Sequence, residues 1–121
     1  MSTRPHVGIV GVGAMGMAIA QRLRSCKFPV TVRDVRRSRE WLAARSGAFI
    51  ARSPAALAQT CPIVISVVVD AVQTEAIVFG DRGLIDTMRE GSVLIVCSTL
   101  GPAFVASLAA RLADRGIQLI D

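Results

Sequence analysis

Three glycines, Gly11, Gly13 and Gly16, interrupt the stretch VGIVGVGAMGMAIAQRL (7–23), between an apolar β-branched run and an alanine-rich run with helical spacing. That order suits the binding of a phosphate. The first glycine permits a tight turn after a strand, the second lets a pyrophosphate approach the backbone, and the third lets helix and strand pack closely. The amides at the start of the helix have no partner within it and can receive the negative charge. Gly11, Val12, Gly13, Ala14, Met15 and Gly16 are therefore the candidate cradle. A second group belongs to the same chemistry. Asp34 closes the next apolar run, 18 residues after Gly16 and near the roughly 20 expected of a carboxylate that reads an adenine ribose. Such a carboxylate accepts hydrogen bonds from both ribose hydroxyls and repels a 2′-phosphate, which favours NAD. Arg33, Arg36 and Arg37 crowd the same loop and could pair with that phosphate, which would favour NADP. The two signals conflict, and Asp34 tips the reading toward NAD. A strand-turn-helix that binds nothing, with Asp34 as a turn residue, is the bland alternative.

These residues need a frame. The spacing predicts strands over 6–11, 28–34, 48–51, 62–69, 92–99 and 117–121. Helices are predicted over 14–26, 38–47, from Ser53-Pro54, over 70–79 and over 102–116. On the first helix Met15, Ile19 and Leu23 fall on one side. Ser53 reads as an N-cap with Pro54 at the first helical position. Strands that alternate with helices and are apolar almost throughout argue for an α/β fold, a Rossmann-type doubly wound parallel sheet of about six strands with helices on both faces. In such a sheet the ligand crevice lies beyond the carboxyl ends of the strands. Ser98 and Thr99 fall at one of those ends, where they would meet a ligand or simply cap the following loop.

Composition narrows the function classes. The 121 residues carry a formal charge of +5, and all but one of the cations are arginine. Most of those arginines read as solvated helix faces and loops. With aromatics at 4% and no tyrosine, a stacking platform for nucleic acid is not expected. Cys26, Cys61 and Cys97 lack metal-ligand spacing and His6 is the single histidine, so no metal site is expected and reduced cysteines in a cytoplasmic protein are. The longest apolar run, IVISVVV over 63–69, is too short to span a membrane, and no signal peptide is legible.

On these residues the sequence resembles the β-hydroxyacid dehydrogenases, the family that includes 3-hydroxyisobutyrate dehydrogenase and tartronate semialdehyde reductase. GIVGVGAMGMAIAQRL is similar to that family's glycine loop, with Met15 before the third glycine. VTVRDV matches its ribose-reading strand, with Val35 where NADP-preferring members usually have arginine. VISVVVDAVQTEAIVFGDRGLI and VCSTLGP resemble its next two motifs, except that Val96 stands where the family has aspartate. The more usual Leu-Pro and Asn are replaced by Val68-Val69 and Gln73. The resemblance implies that Val68, Val69 and Gln73 border the cofactor, Thr99 its nicotinamide end, and that Ser98 contacts a small carboxylate-bearing hydroxy acid. It also implies that the catalytic lysine belongs to a helical carboxy-terminal domain outside these 121 residues, since the one lysine, Lys27, lies on the wrong side of the sheet. Residues 1–121 are then one dinucleotide-binding domain with no catalytic residue of its own, able to bind cofactor and unable to turn over. Homo-oligomers are compatible with the sequence. A non-catalytic dinucleotide-binding or scaffold module is the second reading, and an S-adenosylmethionine-dependent methyltransferase a minor third.

Overall fold

In the computed structural model, which describes residues 4–121, strands and helices alternate from the first element to the last. The strands are β1 (Val7–Val10), β2 (Val30–Arg33), β3 (Phe49–Ile50), β4 (Ile63–Ser66), β5 (Val93–Val96) and β6 (Gln118–Ile120). The helices are α1 (Ala14–Ser25), α2 (Arg37–Ala44), α3 (Pro54–Thr60), α4 (Ala71–Phe79) and α5 (Pro102–Ala113), with a 3-10 turn at Leu84–Asp86. All pairings are parallel, in the order β3-β2-β1-β4-β5-β6. The order reverses between β1 and β4. A crevice must open there, because the connections leave β1 and β4 in opposite directions.

The strands are apolar throughout because both faces of the sheet are covered. Val7, Ile9, Val30 and Val32 pack with Ala20 of α1 and Ala43 of α2 on one face. Val10, Val64, Leu94 and Val96 pack with Leu57 of α3, Val78 of α4 and Leu108 and Leu112 of α5 on the other. Small residues let α1 lie close. Gly16 and Ala20 are its buried positions, while Ile19 and Leu23 pack at the margin of that core. Met15, expected on the same side, is 55% exposed instead, because it lies in the first turn, beyond the end of β1. Ser53 caps α3 as its sequence suggests, accepting a hydrogen bond from the Ala56 amide at 3.0 Å with Pro54 in the first turn.

All six strands are shorter than the spans predicted for them, most of all at the carboxyl ends of β4 and β5. β4 ends at Ser66 and β5 at Val96, so residues 67–69 and 97–99 are loop rather than strand. No described helix is long and apolar enough to cross a membrane.

Candidate functional site

The chain leaves β1 at Gly11 with φ +98°, a left-handed conformation that side chains rarely adopt. A Cβ at Gly11 would strike the Val67 carbonyl oxygen, and one at Gly16 would strike the Gly11 carbonyl oxygen. At Gly13 a Cβ would meet nothing within 4 Å. The first and third glycines are therefore required by the protein's own backbone, whereas the second faces open space at the start of α1. Gly13 is the cap of that helix, with no side chain closing its end and no acidic residue in the first turn. Its leading amides and the positive end of the helix dipole are left for an anion.

Asp34, at the end of β2, is tied into this turn. Its Oδ2 accepts from the Val12 amide at 2.8 Å and its Oδ1 from the Arg36 amide at 2.8 Å. Each oxygen keeps a further lone pair for a hydroxyl. The Asp34 amide donates to Oε2 of Glu40 at 3.1 Å, and the Arg33 guanidinium lies 3.7 Å from the same oxygen. Glu40 is only 4% exposed. Sequence reading missed it, because one acidic residue in an arginine-rich helix looks like part of a solvated face.

A cleft of about 590 Å³ runs from Gly13 past Asp34 and Arg36, with Val68, Val69 and Gln73 on the opposite wall. Arg33 and Arg39 also line it. Arg37 does not belong to the cleft. It lines a separate depression with Trp41 and Arg45. On the far wall Asp70 caps α4 by accepting from the Gln73 amide at 2.9 Å, and the Gln73 carboxamide oxygen accepts from the Val69 amide at 3.2 Å. The Ser98 hydroxyl donates to the Val68 carbonyl, joining the loop after β5 to the loop after β4. Ser98 is half-buried and Thr99 exposed, and both lie beside the cleft, not among the residues that line it. Within the cradle Val12 and Gly16 are buried, while Ala14 and Met15 are exposed on the first turn of α1. Lys27, between α1 and β2, lies at the opposite end of the sheet.

The donor set fits a dinucleotide, with uncapped helix amides for phosphate and a braced carboxylate for ribose hydroxyls on one continuous cleft. Residues 6–121 match the model of the NAD binding domain of 6-phosphogluconate dehydrogenase. The chain belongs to that family. This NAD(P)-binding domain is 37% identical over 116 residues to the L-threonate dehydrogenase of Cupriavidus necator, covering 96% of this chain and 39% of that enzyme. It superimposes on the 3-hydroxyisobutyrate dehydrogenase of Salmonella typhimurium with a TM-score of 0.88 and 29% identity, over 94% of this chain and 40% of that one. Psf3, solved with NADP+ and 2-OPP, gives a TM-score of 0.89 and 28% identity, over 95% of this chain and 41% of that one. The domain spans about two fifths of the length of each of these relatives.

Proposed function

We propose that this domain binds NAD in preference to NADP and serves an oxidoreductase acting on the CH–OH group of a small carboxylate-bearing 3-hydroxy acid. The observation that carries the cofactor preference is Asp34, whose carboxylate is braced by the Val12 and Arg36 amides beside the open Gly13. A fixed negative charge there rewards two ribose hydroxyls and opposes a 2′-phosphate. The leading amides of α1 receive the pyrophosphate, and Val68, Val69 and Gln73 border the far part of the cofactor. Thr99 lies toward its nicotinamide end, and Ser98 toward the substrate. Bound nicotinamide supplies the hydride acceptor or donor. The substrate class is supported by the similarity to L-threonate and 3-hydroxyisobutyrate dehydrogenases. Proton transfer would fall to a lysine with no counterpart at the cleft, since Lys27 is at the other end of the sheet. The 121-residue chain is thus expected to bind nucleotide without turnover.

Titration of the purified chain with NAD and NADP tests the preference. NAD should bind about tenfold more tightly, and Asp34→Ala should weaken NAD about tenfold with little change for NADP, the scale of one or two charge-assisted hydrogen bonds. Tighter binding of NADP by the unaltered chain would overturn the reading. A dinucleotide-binding module without catalysis is the second reading, favoured by the buried Val96 where the resemblance calls for aspartate. The gene sequence beyond Asp121 separates the two. A helical domain bearing the lysine supports the enzyme, and a stop codon supports the module.

A further inference from the structure

We infer that Glu40 is a positioning residue that sets the nucleotide preference by holding Arg33 away from the ribose. The inference rests on reading the cleft as an adenosine site. Arg33 is the last residue of β2, immediately before Asp34, and it lines the cleft. On charge alone it is well placed to meet a 2′-phosphate. Its guanidinium is instead directed to Glu40, with Nη1 3.7 Å from Oε2. Glu40 sits in the first turn of α2 and is 4% exposed, so its carboxylate has little water to solvate it. A charge so placed requires a counter-charge and hydrogen bonds, and removing one partner is costly. Arg33 supplies the counter-charge and the Asp34 amide supplies a hydrogen bond at 3.1 Å, both on the same oxygen. Turning Arg33 toward a phosphate would strip a buried carboxylate of its cation. Glu40 therefore acts twice on the same choice. It fixes the backbone of the residue that welcomes ribose hydroxyls, and it keeps the adjacent cation from rewarding a phosphate.

Glu40→Gln separates these two actions. Glutamine keeps an oxygen for the Asp34 amide and nearly the same shape, but it has no charge to retain Arg33. In isothermal titrations of the 121-residue chain, with circular dichroism melts to verify folding, E40Q should bind NADP about tenfold more tightly than the unaltered chain. Its NAD affinity should change by less than about twofold. A gain of affinity for a second ligand is not what mere loosening of the fold produces. Adding Arg33→Gln to E40Q should abolish the gain, and Arg33→Gln alone should leave NADP binding as it was. A folded E40Q with an unchanged NAD-to-NADP ratio overturns the inference, as does a double variant that keeps the gain. If E40Q does not fold, R33Q and a second Glu40 variant decide. Weakened NADP affinity in R33Q shows that Arg33 already reads the phosphate and refutes the inference. With unchanged NADP affinity, Glu40→Ala or Glu40→Met, if folded, must show the Arg33-dependent gain or the inference falls. If the unaltered chain prefers NADP while E40Q raises that affinity further, the NAD preference falls and the role of Glu40 stands. If the unaltered chain binds neither nucleotide, both fall.

Discussion

The two walls of the cleft are built by different means. On the β1–β2 side, the glycine turn, Asp34 and Glu40 are joined through backbone amides at 2.8–3.1 Å, and the turn leaves no room for a Cβ at Gly11 or Gly16. On the β4–β5 side, the loops are linked by the Ser98 hydroxyl and the Gln73 carboxamide, while Val69 and Val72 stand 79% and 78% exposed. A turn whose backbone admits no Cβ keeps its shape whatever docks against it. A wall defined by side chains can be retuned one substitution at a time. The glycine turn is thus the fixed part of the cleft, and the parts held by side chains, Asp34 and Glu40 as well as Gln73 and Ser98, are the adjustable ones.

The sharpest way to break this contrast lies inside the glycine turn. Gly16→Ala forces a methyl group into the Gly11 carbonyl and should cost about 3 kcal/mol in urea unfolding, the scale of a backbone shift in a packed site. Gly13→Ala has open space and should alter stability by less than about 0.5 kcal/mol. It should nevertheless weaken NAD at least about tenfold, because the methyl group occupies the approach to the helix amides. If the two variants unfold alike, or if Gly13→Ala binds NAD normally, the first wall has been misread. On the second wall, Ser98→Ala removes one hydrogen bond and should cost about 1 kcal/mol of stability while nucleotide affinity stays within about twofold. A loss of NAD affinity as large as that of Asp34→Ala would make the second wall as decisive as the first.

The smallest expected effect concerns the helices behind that second wall. Arg111 of α5 grips Glu75 of α4 with two hydrogen bonds, at 2.6 and 3.0 Å, and its guanidinium lies 4.0 Å from the centre of the Phe79 ring. The hydrogen bonds from Arg111 hold the Glu75 carboxyl below its ordinary value of 4.5. Because the folded value is the lower one, the pair stabilises the protein above that ordinary value and the benefit fades as pH falls through the folded value. Both side chains are about two-fifths exposed, so the contribution is modest, about 0.5 kcal/mol. Glu75→Gln should destabilise by that amount at pH 7, and the difference from the unaltered chain should shrink toward pH 3. A difference that stays constant with pH would assign the effect to packing on Phe79 instead.

The order of elements and both faces of the sheet were legible in the sequence because apolar runs, glycines and caps recur at regular intervals. Strand ends were harder. The run at 62–69 stays apolar beyond the last ladder pair, since residues 67 and 68 remain partly buried as they turn over the cleft, whereas 92–99 turns polar at Ser98 and Thr99 just past the end of its ladder. The 3-10 turn at Leu84–Asp86 carries no periodicity long enough to register, although Leu84 and Ile85 are buried beneath it. In the site, the tight turn at Gly11, the close packing at Gly16 and the position of Asp34 follow from spacing alone. The burial of Glu40 and the place of Arg37 in a separate depression depend on how α2 is rotated against the sheet, and its short, arginine-rich sequence gave too weak an apolar stripe to show that.

The open space beside Gly13 gives its codon a different standing from those of its two neighbours. Gly11 and Gly16 must persist in any descendant that keeps this turn, whether or not it still holds a nucleotide. Gly13 is under no such obligation from the fold. On the proposed reading of the cleft, a side chain appearing at that one position would mark a lineage that had kept the architecture and abandoned the ligand, and the change could spread without leaving a trace in stability.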